Sequence, residues 1–264
     1  MAEDVILTET DARGVATLRL NRPEVNNAYN GALIEALIER VETLGADDAI
    51  RAIVVRGNGK HFQAGADLNW IQDCRDAGFD HNLAVSRQTR QAFLGLMTCP
   101  KPTIALVHGG CFGGGTGIAA CCDIVVAEES ATFAITEARW GLVPTMIMPQ
   151  LLARLGPART RRYALTCQRF GAQRAFDIGF VDEVCAVGKL DETVEPILDS
   201  LLHCPPDALA AIKADIFHFA GLEFTPDQLE EMTQAHAKLR FTDAADEGVK
   251  SFLEKRKPNW YPGG

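Results

Sequence analysis

A chain of 264 residues, 47% of them apolar, has the length and composition for one sizeable core or a core with an appendage. Its formal charge of -9 argues against a sequence-independent grip on nucleic acid and against an anionic membrane surface as partner. The acidic start MAEDVILTET lacks the basic flank of a signal peptide, and no run approaches the roughly 20 apolar residues of a membrane span, so a soluble cytoplasmic protein is expected.

β-Branched runs predict strands at 15–20 (VATLRL), 52–57 (AIVVRG), 103–108 (TIALVH) and 123–127 (DIVVA). Helical periodicity falls between them, at 31–43 and 84–97. This alternation predicts an α/β fold with buried, largely parallel strands. From about Pro157 the pattern turns to consecutive helices, best at 190–202, 206–220 and 226–241, and then to a charged tail. A core over 1–195 and a helical region over 196–264 follow from that change.

The eight cysteines stand singly apart from Cys121 and Cys122, with no C-x-x-C or paired Cys/His spacing, so buried free thiols and no bound metal are expected. The G-x-S-x-G, G-x-x-x-x-G-K-[ST] and H-E-x-x-H patterns are absent, and the glycine-rich run does not fit G-x-G-x-x-G. The six histidines are scattered, and His61 and His108 stand out only because they flank the two most glycine-rich segments.

Those segments follow the ends of two strands, where the working loops of α/β sheets lie. One is GNGKHFQAGADLNW from Gly57; the other is HGGCFGGGTGIAACCD from His108, with six glycines in the nine positions from Gly109 to Gly117. In each, glycines open conformations closed to other residues, and a helix begins whose first N–H groups have no partner inside the helix. Two such N–H groups aimed at one point form an oxyanion hole, each donor worth about 2.7–4 kcal/mol to a developing negative oxygen. Tight turns and close helix packing are the other use of such glycines.

The segments LNRPEVNNA, HFQAGADL, GGCFGGGTGIAACCDIVVA, FAITEARWGLVP and SFLEKRKPNW resemble, in this order and over essentially the whole chain, the enoyl-CoA hydratase/isomerase or crotonase family. The resemblance implies a crotonase-like spiral of ββα repeats, a carboxy-terminal helical region that builds homotrimers or homohexamers, and acyl-CoA thioester substrates with no separate cofactor. It assigns the oxyanion donors to the backbone N–H groups of Ala66 and Gly114. It places Val25, Ala64, Asp67 and Leu68 near adenine and pantetheine. Positive charge for the phosphates is available at Arg22, Lys255, Arg256 and Lys257, and the last three fit a solvated helix end equally well.

Family hydratases commonly carry two glutamates. The second matches Glu137 in AITEARWGL, whereas the first falls on Gly117, so the resemblance leaves acid–base work to Glu137 alone. Apolar neighbours in FAIT and WGLVP are expected to raise its pKa into a useful range. Finer wording around both loops resembles hydratases of glutaconyl-type thioesters in leucine and acyclic terpene breakdown, whose substrates branch at C3 and end in a carboxylate. Arg139 and Gln63 are then candidates to meet that carboxylate, and Trp140 and Met146 either line an apolar acyl pocket or pack in the core. Two other readings stand beside hydration: Δ3,Δ2 isomerisation by the single glutamate, and a noncatalytic acyl-CoA-binding or RNA-binding homologue.

Overall fold

The four β-branched runs form the middle of a six-stranded sheet, because each buries both of its faces. The computed structural model describes residues 4–262. In chain order its elements begin with strands β1 (Ile6–Thr10) and β2 (Val15–Leu20), helix α1 (Gly31–Ala46), strand β3 (Ala52–Gly57), and helices α2 (Leu68–Asp76) and α3 (Phe79–Thr98). Strands β4 (Thr103–Val107) and β5 (Gly110–Phe112), helix α4 (Gly114–Cys121), strands β6 (Ile124–Glu128) and β7 (Thr132–Ala134), and helix α5 (Met148–Thr166) follow. Strand β8 (Phe170–Gly171), helix α6 (Ala172–Asp177), strand β9 (Glu183–Cys185) and helices α7 (Leu190–Leu202), α8 (Pro206–Phe219), α9 (Pro226–Leu239) and α10 (Asp243–Leu253) complete it.

The large sheet runs β1-β2-β3-β4-β6-β9, parallel except for the edge pair β1–β2. The second, smaller sheet runs β5-β7-β8. Isolated parallel bridges extend the smaller sheet's path, pairing Gln63 with Cys111 and Tyr29 with Ala66. Each turn of chain therefore leaves the large sheet, crosses the second layer beside the previous turn, and returns through a helix. That is a spiral of ββα turns, and it stacks the loops after β2, β3, β4 and β6 side by side.

One core lies inside the spiral, with Phe62, Phe93, Phe133 and Phe180 fully buried. The outer face of the large sheet is covered by α7 through Leu190, Val194 and Leu198, which pack on Val54, Leu106 and Val126. A division at 195/196 therefore falls within α7, a helix that serves the sheet. Asp123 is structural: its Oδ2 accepts from Thr103 N at 2.8 Å and Lys213 Nζ at 2.8 Å. All eight cysteines are free; Cys185 is partly exposed and Cys204 exposed, in contrast to the expected burial of all.

Three departures from the sequence reading stand out. The charged tail contains helix α10, capped by Thr242, whose Oγ1 accepts from Ala245 N at 3.2 Å. Its buried face is Ala245, Gly248, Val249 and Ser251, too small to stand out among the charges. The helical stretch expected from Pro157 starts earlier, at Met148, and breaks at Gly156, where φ is +67° before Pro157 resumes it. Strand β5 lies inside the glycine-rich stretch read as a loop from His108, so the turn into α4 starts from the second layer.

Candidate active site

Two stacked loops deliver two backbone donors to one place. In the bridge between Tyr29 and Ala66, Tyr29 N donates to Gly65 O at 2.9 Å and Asp67 N donates to Tyr29 O at 2.9 Å. A parallel bridge uses the groups on either side of its central residue, so the Ala66 N–H points away from Tyr29. Gly114 opens α4, where the first N–H groups have no partner in the helix. Neither N–H has an acceptor among the described residues. They are neighbours, since a Cβ built on Gly65 would stand 3.6 Å from Gly114 N. Gly65 (φ +91°) and Gly113 (φ +51°) supply the left-handed backbone this approach requires.

Glu137 opens a 3-10 turn, Glu137–Trp140, that follows β7. Its carboxyl lies against the start of α4: a Cβ on Gly113 would be 3.2 Å from Glu137 Oε1. The other oxygen, Oε2, is buried and has no hydrogen-bond partner among the described residues. Burial raises the Glu137 pKa from its ordinary 4.5 to about 7, opposed by the backbone N–H groups of Glu137 and Thr136. A carboxyl with one unpaired oxygen beside two unpaired N–H groups is an acid–base group next to a receptor for negative oxygen.

These groups share a cavity of about 430 Å³. Val25, Ala64, Asp67 and Leu68 line it, as do Ala66, Gly114, Glu137, Arg139, Trp140 and Met146. Arg22 stands behind that wall, pairing with Asp67 Oδ2 at 3.3 Å, while Asp67 Oδ1 caps α2 through Asn69 N at 3.1 Å. Trp140 also packs edge-on against Phe252 of α10, with ring centroids 4.9 Å apart.

Besides Arg22, three expected site residues lie outside the cavity lining. Gln63 is wholly buried and committed to the loop: its Nε2 donates to Gly65 O at 2.8 Å and its Oε1 accepts from Gly65 N at 2.7 Å. It braces the turn before Ala66 and does not line the cavity. Gly117 is buried within α4 beneath Ile147, which lines the cavity in its place. Lys257 lies outside the cavity with its ammonium over the Tyr261 ring at 4.2 Å, and neighbouring Arg256 is engaged by Glu247 and Glu254.

His61 and His108 brace loops, His61 Nδ1 accepting from Gly110 N at 2.8 Å and His108 Nε2 standing 2.9 Å from Gly59 O. Sequence reasoning missed Tyr29, Ile147, His236, Arg240 and Phe252, which all line the cavity. The last three come from the carboxy-terminal helices and the residue closing α9, so this region builds the pocket of its own chain. Among the described residues no group of three or more His, Cys, Asp or Glu side chains gathers to hold a metal, and no helix is long and apolar enough to cross a membrane.

Two neighbouring unpaired N–H groups beside a carboxyl are an arrangement able to stabilise an enolate-like oxygen while a proton moves at the neighbouring carbon. The family model described as enoyl-CoA hydratase/isomerase matches residues 10–262. The 2,3-dehydroadipyl-CoA hydratase of Escherichia coli is 32% identical, over 93% of this chain and 94% of its own. The trans-2-decenoyl-[acyl-carrier-protein] isomerase of Streptococcus mutans is 30% identical over 94% of each. A crystal structure of an enoyl-CoA hydratase from Mycobacterium avium superposes with a TM-score of 0.85 at 32% identity, covering 97% of this chain and 99% of that one. The chain belongs to the enoyl-CoA hydratase/isomerase family, with the crotonase fold and an acyl-CoA thioester as the kind of substrate.

Proposed function

We propose that the chain hydrates a C3-branched, glutaconyl-type enoyl-CoA, such as isohexenylglutaconyl-CoA or 3-methylglutaconyl-CoA, in acyclic terpene or leucine breakdown. The carrying observation is the Glu137 carboxyl, unpaired at Oε2 and raised to a pKa of about 7, in the cavity that holds the free N–H groups of Ala66 and Gly114. Those N–H groups bind the thioester oxygen. Glu137 takes a proton from water as its oxygen bonds to C3, the C2–C3 electron pair moves toward the thioester, and Glu137 returns a proton to C2. The net change is one water added, and no cofactor beyond the substrate's own CoA is required. Exposed Arg139 and Arg169 at the cavity wall are placed to meet anionic parts of the thioester.

Isomerisation is the second reading, and Ile147 favours it: the space expected to hold a second, water-positioning carboxylate is filled with hydrocarbon. The two are separated by offering 3-methylglutaconyl-CoA and a 3-enoyl-CoA in turn and identifying products by mass. Hydration predicts a hydroxyacyl product from the first; an unhydrated 2-enoyl product, from the second substrate alone, reverses the assignment. A noncatalytic acyl-CoA-binding role leaves the buried, unpaired Oε2 of Glu137 without a use, and an RNA-binding role does not fit the net charge of -9. The same reading includes self-association as a trimer or hexamer, supported by Ile212, Ile216 and Phe219 exposed together along α8, and testable by sedimentation.

A further inference from the structure

The cavity wall carries a charge that the folded chain leaves unmatched. Arg240, the residue that closes α9, is only 5% exposed and lines the cavity. Its Nη1 is buried without a hydrogen-bond partner, and no carboxylate among the described residues pairs with it. Its guanidinium lies over the Trp70 ring, with Cζ 5.2 Å from the centroid. Nearby Asp246 is taken by Arg75 at 3.4 Å and Lys250 at 2.8 Å, and Arg75 Nη1 anchors the backbone by donating to Arg240 O at 2.8 Å.

Burial lowers the Arg240 pKa, with only Tyr29 and Cys74 opposing, yet a guanidinium keeps its proton under any physiological condition. A buried, unpaired cation is costly unless something arrives to pair with it. The neighbouring His236 offers no rival charge. Burial and the Arg240 charge hold its pKa well below the ordinary value. Its Nδ1 lies 2.9 Å from Ser86 Oγ, whose own proton goes to Asn82 O at 2.8 Å, so Nδ1 is the donor and neutral Nε2 an acceptor.

From the oxyanion donors to this cation the wall is continuous. A Cβ on Gly114 would touch the Tyr29 ring at 2.4 Å, Tyr29 meets Trp70 edge-on at 5.9 Å, and Trp70 lies under Arg240. The Tyr29 and Trp70 rings thus line the wall between the thioester end and the guanidinium. We propose that Arg240 is the receptor for a carboxylate at the far end of the acyl chain, making the substrate class ω-carboxyacyl-CoA. This rests on the acyl-CoA reading of the cavity and moves the carboxylate contact from Arg139 and Gln63, the first exposed and the second spent on Gly65, to a residue the sequence did not single out. The planar fork of arginine matches a carboxylate through two parallel hydrogen bonds.

The test uses saturated thioesters, which can be neither hydrated nor isomerised, so it is independent of the reaction assigned above. Calorimetry with glutaryl-CoA and pentanoyl-CoA compares chains that differ by a terminal carboxylate against a methyl. The wild-type protein is expected to bind glutaryl-CoA at least tenfold more tightly. In Arg240→Met the ratio of the two dissociation constants falls to about one or inverts, and Arg240→Lys restores part of the preference. Equal binding of both thioesters by the wild type overturns the proposal without needing any variant to fold, as does a preference that survives in Arg240→Met. If neither thioester binds, the acyl-CoA reading itself fails; if glutaryl-CoA is preferred but no glutaconyl-type thioester gains water, the hydration assignment alone fails.

Discussion

Ile147 fills the space into which a side chain at position 117 would project: a Cβ built on Gly117 would lie 2.1 Å from Ile147 Cγ2 and 2.9 Å from Phe93 Cε1. The missing second glutamate is thus more than a deletion, because the 3-10 turn Thr145–Ile147 has packed hydrocarbon into its place. Glycine lets α4 sit directly under that turn. The consequence is a cavity wall that is apolar where the sequence resemblance leads us to expect a first glutamate.

Gly117→Ala is therefore expected to destabilise the protein by about 1–3 kcal/mol through overpacking, read as a lower midpoint in denaturant with an unchanged slope. Gly117→Glu alone should fold poorly and add no catalytic acid. Pairing it with Ile147→Ala opens the space, and thermal unfolding should show the double variant more stable than Gly117→Glu by itself. A Gly117→Glu protein as stable as the wild type would mean that Ile147 moves freely and that the packing argument is wrong.

Glu137→Gln keeps the shape and removes the acid–base function. Turnover of whichever enoyl-CoA the protein accepts is expected to fall by about 10²–10⁴-fold. Binding of an unreactive acyl-CoA, measured by calorimetry, should change little, because the substitution leaves in place the backbone N–H groups of Ala66 and Gly114 that are proposed to hold the thioester oxygen. Unchanged turnover would remove Glu137 from the mechanism.

The raised Glu137 pKa has two consequences of definite sign. As a base the carboxyl must be ionised, so kcat/KM in the free enzyme should rise with pH and level off above about 7. For stability, a carboxyl whose folded pKa exceeds its ordinary 4.5 favours the folded state fully below 4.5 and loses that contribution as pH rises through about 7. Urea titrations of wild type and Glu137→Gln across pH 4–8 isolate the effect: their stability difference should shift against the wild type over that window. A difference independent of pH would mean that the carboxyl is solvated.

The strands over Val15–Leu20, Ala52–Gly57 and Thr103–Val107 were legible because burial on both faces leaves near-continuous β-branched runs. β1 was not, since Ile6 is its one buried residue and an edge strand needs no more. β5, β7 and β8 are three residues or fewer, too short for any period to register. At the site, glycine spacing revealed both donor loops, because left-handed backbone restricts residue choice locally. Arg240 and Ile147 left no such trace. An arginine closing a helix reads as a favourable charge at its C-terminus, and its burial arises only when α9 docks on α3 beside Trp70. Gln63 was misplaced for a related reason, since an amide in a loop gives no sign of whether it faces a ligand or its own backbone.

The doubly engaged Gln63 amide yields the last prediction. It satisfies both the N–H and the C=O of Gly65, and Phe112 N donates to Gln63 O at 2.9 Å, so one residue ties the Ala66 loop to the Gly114 loop. Gln63→Leu removes both side-chain bonds and leaves Gly65 N buried without a partner, at a cost of about 1–3 kcal/mol, while Gly65 O keeps its bond from Tyr29 N. Gln63→Glu keeps the acceptor for Gly65 N but has no donor for Gly65 O while ionised, and should fall between. Because the brace positions a donor and touches no substrate, its loss should appear as a lower kcat with a smaller change in KM, as the Ala66 N–H drifts from the place where the oxyanion forms. Steady-state kinetics beside thermal unfolding decides the matter: a Gln63→Leu protein that loses stability yet retains wild-type kcat would show that Ala66 is held by the Tyr29 bridge alone.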